Sequence, residues 1–351
     1  ISTMPTAPTA TGGLLANSFQ PQGDSLSRVI QFGEEIRSSS VEVSKQTDDH
    51  LGDWWTSYLS GSRPRADREL RRLRVAELFS GPGGLAQGFK QACRELGYEF
   101  HSTFAADHDS EALRVYKENH GTEHTTSTSV SSLVDYRING HADDAVWAPR
   151  HLPCLTDSRL SDLAESIDVL LAGPPCQGHS NLNNHTRRDD ERNAAYLDVP
   201  AIAVALDIPM VIIENVPTAR HDKERVVQTA RSLLENSGYW VDEGVLKASS
   251  MGWPQTRSRF FMVARKKDLG PPVALKEVKE ALYLPDGMPL PVRWATDQLQ
   301  DVETYEDFSD KPAGGLDRLS TPKDRPDPND PEQIDTKKRL AWFADRKNKG
   351  K

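Results

Sequence analysis

The apolar residues of this chain fall into short unbroken runs separated by stretches with a helical repeat. Val75–Phe79, Phe100–Ala106, Val169–Ala172, Met210–Ile213, Trp240–Leu246 and Phe260–Ala264 read as strands. Between them, Leu85–Leu96, Ser110–Asn119, Ser158–Ser166, Tyr196–Leu206 and Glu224–Ser237 read as helices. Strands that stay apolar without alternating are covered on both faces, so this order predicts an α/β fold around a mostly parallel sheet. Ahead of it, Asp24 can cap a helix running to about Arg37, with Leu26, Val29, Ile30 and Ile36 as its apolar stripe. Trp54, Trp55, Tyr58 and Leu59 form an aromatic cluster suited to packing on a neighbouring domain. The run RPRADRELRRLR (63–74) reads as basic and helix-like, most simply a solvated face. Residues 1–12, rich in Thr, Pro and Ala, predict disorder. Beyond Lys267 the chain is proline-rich and acidic, with a terminal helix predicted only over Asp335–Arg346.

Composition narrows the setting. A length of 351 residues allows one large or two ordinary domains, and 36% apolar content leaves part of the chain as solvated loop or tail. The net charge of −9 argues against a surface coated in nucleic acid, yet leaves room for a local basic cleft. Three cysteines (Cys93, Cys154 and Cys176) form neither a disulfide framework nor a zinc spacing, and His120, His124, His141 and His151 read as surface histidines. No metal site is expected. With no apolar run of membrane-spanning length and no signal-peptide pattern, the expectation is a soluble, cytoplasmic protein away from membranes.

The chemistry gathers at strand ends. Val169–Ala172 runs into Gly173, Pro174, Pro175 and Cys176, and open α/β sheets place ligands at that end of a strand. The first strand is broken by Ser80-Gly81-Pro82-Gly83-Gly84, a helix follows, and the second strand ends at Asp107. That is the sequence form of a nucleotide-binding half-fold, in which a carboxylate can hold a ribose hydroxyl pair. It lacks both G-x-G-x-x-G and a Walker lysine, which disfavours a pyrophosphate ligand. Glu214 stands at the end of another strand. Gln255, Arg257 and Arg259 alternate, so an extended backbone points all three to one face. Three polar groups there suit a phosphate or base contact, or a strut for a carboxylate. The polar loop NNHTRRDDERN (183–193) is long enough to serve such a site.

ELFSGPGGLAQGF (77–89), AADHDSEALRVYKENH (105–120), GPPCQGHS (173–180), ENV (214–216) and QTRSR (255–259) stand in the order and spacing of C5-cytosine methyltransferases, and this stretch resembles their catalytic domain. The resemblance implies a Rossmann-like fold dependent on S-adenosylmethionine. It implies Cys176 as the nucleophile at cytosine C6 and Glu214 as the acid at N3 and the exocyclic amine, with Arg257 and Arg259 steadying the site. Phe79, Ser80, Gly81, Pro82, Gly84 and Leu85 match the cofactor loop, and Asp107 matches the ribose carboxylate. His108 matches the residue stacked on adenine, and Pro175 the proline beside the methyl donor. The target atom is inaccessible inside a duplex, so double-stranded DNA as partner implies base flipping.

The chain departs from the family pattern in three places. Ser127–Ser132 offers only hydroxyls where an aspartate usually meets the adenine. The polar segment 268–351 is short for a target-recognition domain. The closing Gly-Asn motif and its helix are not found downstream; Ala16-Asn17-Ser18 with the predicted helix from Asp24 resembles them displaced, implying circular permutation with Asn17 near the cofactor's carboxylate. The division expected is therefore an N-terminal segment over 1–70, a methyltransferase domain over 71–267 and a reduced recognition region over 268–351. The expected activity is DNA cytosine-5 methylation in restriction–modification or a DISARM-like phage defence, with other defence proteins as further partners. A tRNA methyltransferase of the same family, a silent cofactor- or nucleic-acid-binding module and, last, a dinucleotide oxidoreductase are the alternatives.

Overall fold

The computed structural model describes residues 14–32, 35–43, 46–48, 50–59, 62–66, 71–164, 166–175, 195–221 and 225–282. Residues 1–12, Cys176, the 183–193 loop and the Asp335–Arg346 segment lie outside them.

The chain opens with β1 (Leu14–Gln22), β2 (Ser25–Phe32), β3 (Glu35–Glu42), α1 (His50–Leu59) and β4 (Arg65–Ala66). The strands form one antiparallel sheet in the order β1-β2-β3-β4. The helix expected from Asp24 is thus replaced by two strands. Gly23, at φ 59°, opens a two-residue hairpin connection to Asp24, and tight hairpins need a residue that tolerates positive φ there. The segments that follow hold serines and β-branched residues, weak helix formers, and β3 buries Arg37, Ser39 and Val41 with the period of a strand. Leu26, Val41, Val43 and Trp54 make a small core, with Phe19 and Trp55 packed on it.

The second sheet contains β5 (Arg72–Leu78), β6 (Glu99–Ala106) and β7 (His124–Thr126), with α2 (Gly84–Leu96) and α3 (Ser110–His120) between them. An excursion follows, made of the short strands β8 (Val134–Asp135), β9 (Ile138–Asn139), β10 (Val146–Trp147) and β11 (Cys154–Leu155). They pair as two separate ribbons, β9 with β10 and β8 with β11. Then come α4 (Ser158–Ser161), β12 (Val169–Ala172), α5 (Ala195–Ala205), β13 (Met210–Asn215) and α6 (Val226–Asn236). The chain continues through β14 (Tyr239–Lys247), β15 (Ser258–Lys266) and α7 (Leu275–Leu282).

The order is β14-β15-β13-β12-β5-β6-β7, with β15 antiparallel to both neighbours and the other pairings parallel. The expected mostly parallel sheet is present. From β5 the chain builds outward through β6 and β7, then returns to build the other way from β12. The switch point therefore lies between β5 and β12, where ligands of open α/β sheets bind.

Three further expectations change. The basic run of 63–74 is not helical where it is described: Arg72 and Arg74 belong to β5 and pair with Glu99 (2.9 Å) and Asp168 (3.2 Å). His120 is buried under the loop after β5 rather than at the surface. Helix α7 adds order beyond Lys267, held where the Leu275 N–H donates to Asp242 Oδ2 at 2.7 Å. Among the described residues no helix is long and apolar enough to cross a membrane.

Candidate active site

The loop after β5 turns on left-handed residues: Phe79 at φ 54°, Gly81 at 51° and Gly83 at 93°. A phenylalanine there is strained, a cost usually found where a backbone must approach a ligand. Asp107 latches the loop. Its Oδ2 accepts the Gly81 N–H at 2.7 Å, its Oδ1 accepts the Asp109 N–H at 2.9 Å, and His108 Nδ1 lies 3.2 Å from Oδ1. The Ser80 N–H donates to the Ala106 carbonyl at 3.1 Å. Asp107 is buried, whereas the His108 side chain is 87% exposed, an open ring beside the loop. Pro82 and Gly84 are exposed, and Leu85 packs partly on the core under α2.

Gly83 caps α2 without a side chain, and a Cβ there would lie 2.3 Å from His120 Nε2 and 2.8 Å from Tyr116. Gly83→Ala is therefore expected to cost about 1–3 kcal/mol from overpacking, beyond ~1–2 kcal/mol for a left-handed alanine. The urea midpoint of the variant measures it.

Beneath this loop Glu77 is 2% exposed and, among the described residues, its Oε2 has no hydrogen-bond partner. Burial pushes its carboxyl up to about 8, against the pull of hydrogen bonds to Tyr116 and the Ala86 backbone. Burial raises Asp198 as well, although Ser131 and Tyr136 donate to it at 2.6 and 2.9 Å. A carboxyl that binds its proton more tightly when folded contributes stability that is complete below its unfolded value and disappears as pH rises through the folded one. Stability is expected to fall from about pH 4.5 toward 8, and Glu77→Gln to remove most of that slope in urea titrations at several pH values.

Across the switch point, β12 gives way to Gly173, whose N–H donates to the Leu78 carbonyl at 3.2 Å. Pro174 is buried and Pro175 half-buried. The Pro174 carbonyl accepts from Asn215 Nδ2 at 3.3 Å, and Asn215 Oδ1 accepts the Val216 N–H at 2.8 Å. Asn215 thus ties the end of β13 to the proline pair. Its only sequence signal is its place in ENV, directly after Glu214.

Glu214, on β13, is received by both arginines that follow Gln255. Arg259 Nε lies 2.7 Å and Arg257 Nη2 3.6 Å from the same Oε1. The Arg259 side chain is 26% exposed and also donates from Nη1 to the Ser258 carbonyl at 2.8 Å, whereas that of Arg257 is 51% exposed. The predicted alternation holds for these two residues, and of the roles left open, the strut for a carboxylate is the one seen. Asn17 lies elsewhere, in β1 opposite Ile30 on the four-stranded sheet. In the hydroxyl-rich segment, Ser131 is engaged by Asp198 and Ser132 by the Ser129 carbonyl. Among the described residues no group of three or more His, Cys, Asp or Glu is placed to hold a metal ion.

A left-handed loop latched by a carboxylate and a glutamate held by two guanidinium groups thus stand at the strand ends of a Rossmann-like sheet, about its switch point. Residues 73–311 match the family of C-5 cytosine-specific DNA methylases, and the chain belongs to that family. It is 37% identical over 238 residues to the Type II methyltransferase M1.BsuMI of Bacillus subtilis (strain 168), covering 68% of this chain and 52% of that protein. It is 29% identical over 196 residues to the Type II methyltransferase M.NlaX of Neisseria lactamica, covering 54% and 51%. The solved Dnmt2 methyltransferase of S. pombe aligns at 22% identity and a TM-score of 0.40, over 60% of this chain and 54% of that one. The chain spans about half the length of the curated relatives it matches.

Proposed function

We propose that this chain is the catalytic part of a DNA cytosine-5 methyltransferase. It would move the methyl group of S-adenosylmethionine to C5 of a cytosine flipped out of double-stranded DNA, in the cytoplasm of a bacterium and in a restriction–modification or phage-defence setting. The observation that carries this reading is Glu214, gripped by Arg257 and Arg259, on the strand that Asn215 ties to Pro174.

The residues fit the cofactor. The loop of Phe79–Leu85 turns through positive φ, which lets a ligand approach the backbone, and Asp107 and His108 follow at the end of β6. Bound there, S-adenosylmethionine supplies an electrophilic methyl group on a sulfonium and leaves as a neutral thioether. Asp107 would take the ribose hydroxyls with the acceptor capacity its backbone partners leave, His108 would cover the adenine, and Pro175 would line the donor side. Asn17 falls outside this set: it lies in β1, and β2 and β3 stand where the helix of a displaced closing motif would follow it.

The chain's residues then act on the base. The Cys176 thiolate adds to C6, and the C5=C6 electron pair makes C5 nucleophilic. Glu214 holds the N3 and amine edge, drawing electrons from the ring as the thiolate arrives. After C5 is methylated, water acting as base takes the C5 proton, the C–H electron pair re-forms the C5=C6 bond, and the C6–S bond breaks to return the thiolate. An ordinary thiol near pKa 8.5 needs positive surroundings to ionise, and Arg257 and Arg259 add them at this end of the sheet. Recognition of a target site falls to residues after 267 or to a partner.

The test is transfer of labelled methyl groups from S-adenosylmethionine to duplex DNA and, separately, to total tRNA. Label recovered as 5-methyldeoxycytidine is the expected result. Label in tRNA alone, or in neither while the cofactor is bound, overturns it.

A further inference from the structure

The N-terminal sheet and α1 contact both α2 and the loop ahead of β15, and none of their residues takes part in the catalytic steps. Helix α1 sends Trp55 onto Trp253, with ring centroids 4.5 Å apart and planes at 54°. Trp253 lies in the loop between β14 and β15, just ahead of Gln255, Arg257 and Arg259. That loop is closed through one residue: the Trp253 N–H donates to the Ala248 carbonyl at 3.1 Å, and the Ala248 N–H donates to the Arg257 carbonyl at 2.9 Å. A shift of Trp253 therefore reaches the Arg257 backbone through Ala248.

Trp55 is itself held from behind. It meets Tyr58 edge-on at 5.7 Å, and the Tyr58 hydroxyl donates to Gln91 Oε1 on α2 at 2.6 Å. One turn along α2, Glu95 takes the Arg28 guanidinium of β2 at 2.8 Å, with both side chains nearly buried. Ion pairs removed from water in this way are costly to break, so they fix a geometry more firmly than exposed ones. Helix α2 starts at the cofactor loop. The N-terminal sheet and α1 thus grip the cofactor helix at one place and the arginine loop at another. Trp253 is 37% exposed and belongs to none of the core clusters, so the main core does not need its ring.

We infer that the N-terminal sheet-and-helix unit is a positioning clamp, in which Trp55 packed on Trp253 sets the Arg257–Arg259 loop, and through it Glu214, against the cofactor side of the site. The inference rests on the reading of Glu214, held by its two arginines, as the group that binds the target base. Trp55 and Trp253 are positioning residues and touch no reacting atom.

Two measurements on the full chain test it. Hydrogen exchange of the 248–259 segment needs no activity: Trp55→Ala is expected to speed exchange there about ten-fold or more while β5 and α2 keep native protection. Methyl transfer to duplex DNA under saturating cofactor is the second. Trp55→Ala and Trp253→Ala are each expected to lower kcat about ten-fold, with KM for DNA and affinity for S-adenosylhomocysteine within two-fold of native. The double variant is expected to be no worse than either single one, and Trp55→Phe to recover most of the loss. Trp240→Ala, an exposed tryptophan on β14 away from the loop, serves as the control and is expected to match native. Unchanged exchange at 248–259 in Trp55→Ala overturns the clamp whether or not the native chain is active. So does native kcat in both single variants, or a raised KM for DNA in Trp253→Ala alone, which would make Trp253 a DNA contact. A native chain that binds cofactor and methylates no DNA fails the proposed function instead, and the exchange result still decides the clamp.

Discussion

Cys176→Ala is expected to lower methyl transfer to duplex DNA by at least about 10⁴-fold while cofactor affinity stays near native. Loss of a covalent nucleophile commonly costs this much, because the remaining groups can only bind and polarise. No other cysteine can take its place. Burial pushes the Cys93 thiol up to about 12, so it holds its proton at any working pH, and Cys154 is exposed on the β8–β11 ribbon. The chemistry offers a second reading of the same residue. DNA with fluorine at cytosine C5 lets the thiolate add and the methyl group arrive, but the following elimination needs a C5 proton that is no longer there. The native chain should then remain joined to the DNA through a bond that survives denaturing electrophoresis, and Cys176→Ala should not. Methyl transfer retained in the variant would remove Cys176 from the mechanism.

How much was legible in the sequence follows from what each signal depends on. Strands covered on both faces announce themselves as unbroken apolar runs, so β12 is found at Val169–Ala172, as read from the sequence. Punctuation by Ser80-Gly81-Pro82-Gly83-Gly84 placed the loop, and α3 begins at Ser110 as read, where the structure adds the cap: Asp109 accepts the Glu111 and Ala112 N–H groups. The shared face of Arg257 and Arg259 was legible because a period of two leaves little choice of face, whereas their common partner Glu214 was not, since a phosphate or base contact suited the same pattern. The N-terminal sheet was not. Leu26, Val29 and Ile30 fit a helical stripe as well as a strand, and what decides between them is a partner in β3 and α1 that local sequence does not name. Asn215 and Trp253 escaped for a related reason. Each matters through a contact distant in sequence, to Pro174 and Trp55, and neither contact leaves a periodic trace.

Arg259→Ala is expected to cost about 10²–10³-fold in kcat and almost nothing in stability. Arg259 Nε approaches Glu214 Oε1 to 2.7 Å and its Nη1 is spent on the Ser258 carbonyl, so one planar fork fixes both the carboxylate and its own backbone. Removing it leaves Glu214 with Arg257 at 3.6 Å on a half-exposed side chain, which attracts the charge without orienting it. A group that polarises a base works through orientation, and losing one well-placed partner in such a site is worth a few powers of ten. The pair is nonetheless partly in water, where such a bridge contributes about 1 kcal/mol or less to folding, so the melting temperature should hardly move. Arg259→Lys keeps the charge but loses the fork, and should recover less than a tenth of the deficit. Arg257→Ala, lacking the short contact, should cost only about ten-fold. If Arg259→Lys were restored to native kcat, positive charge alone would suffice at this position, and Glu214 would be held by electrostatics rather than by geometry.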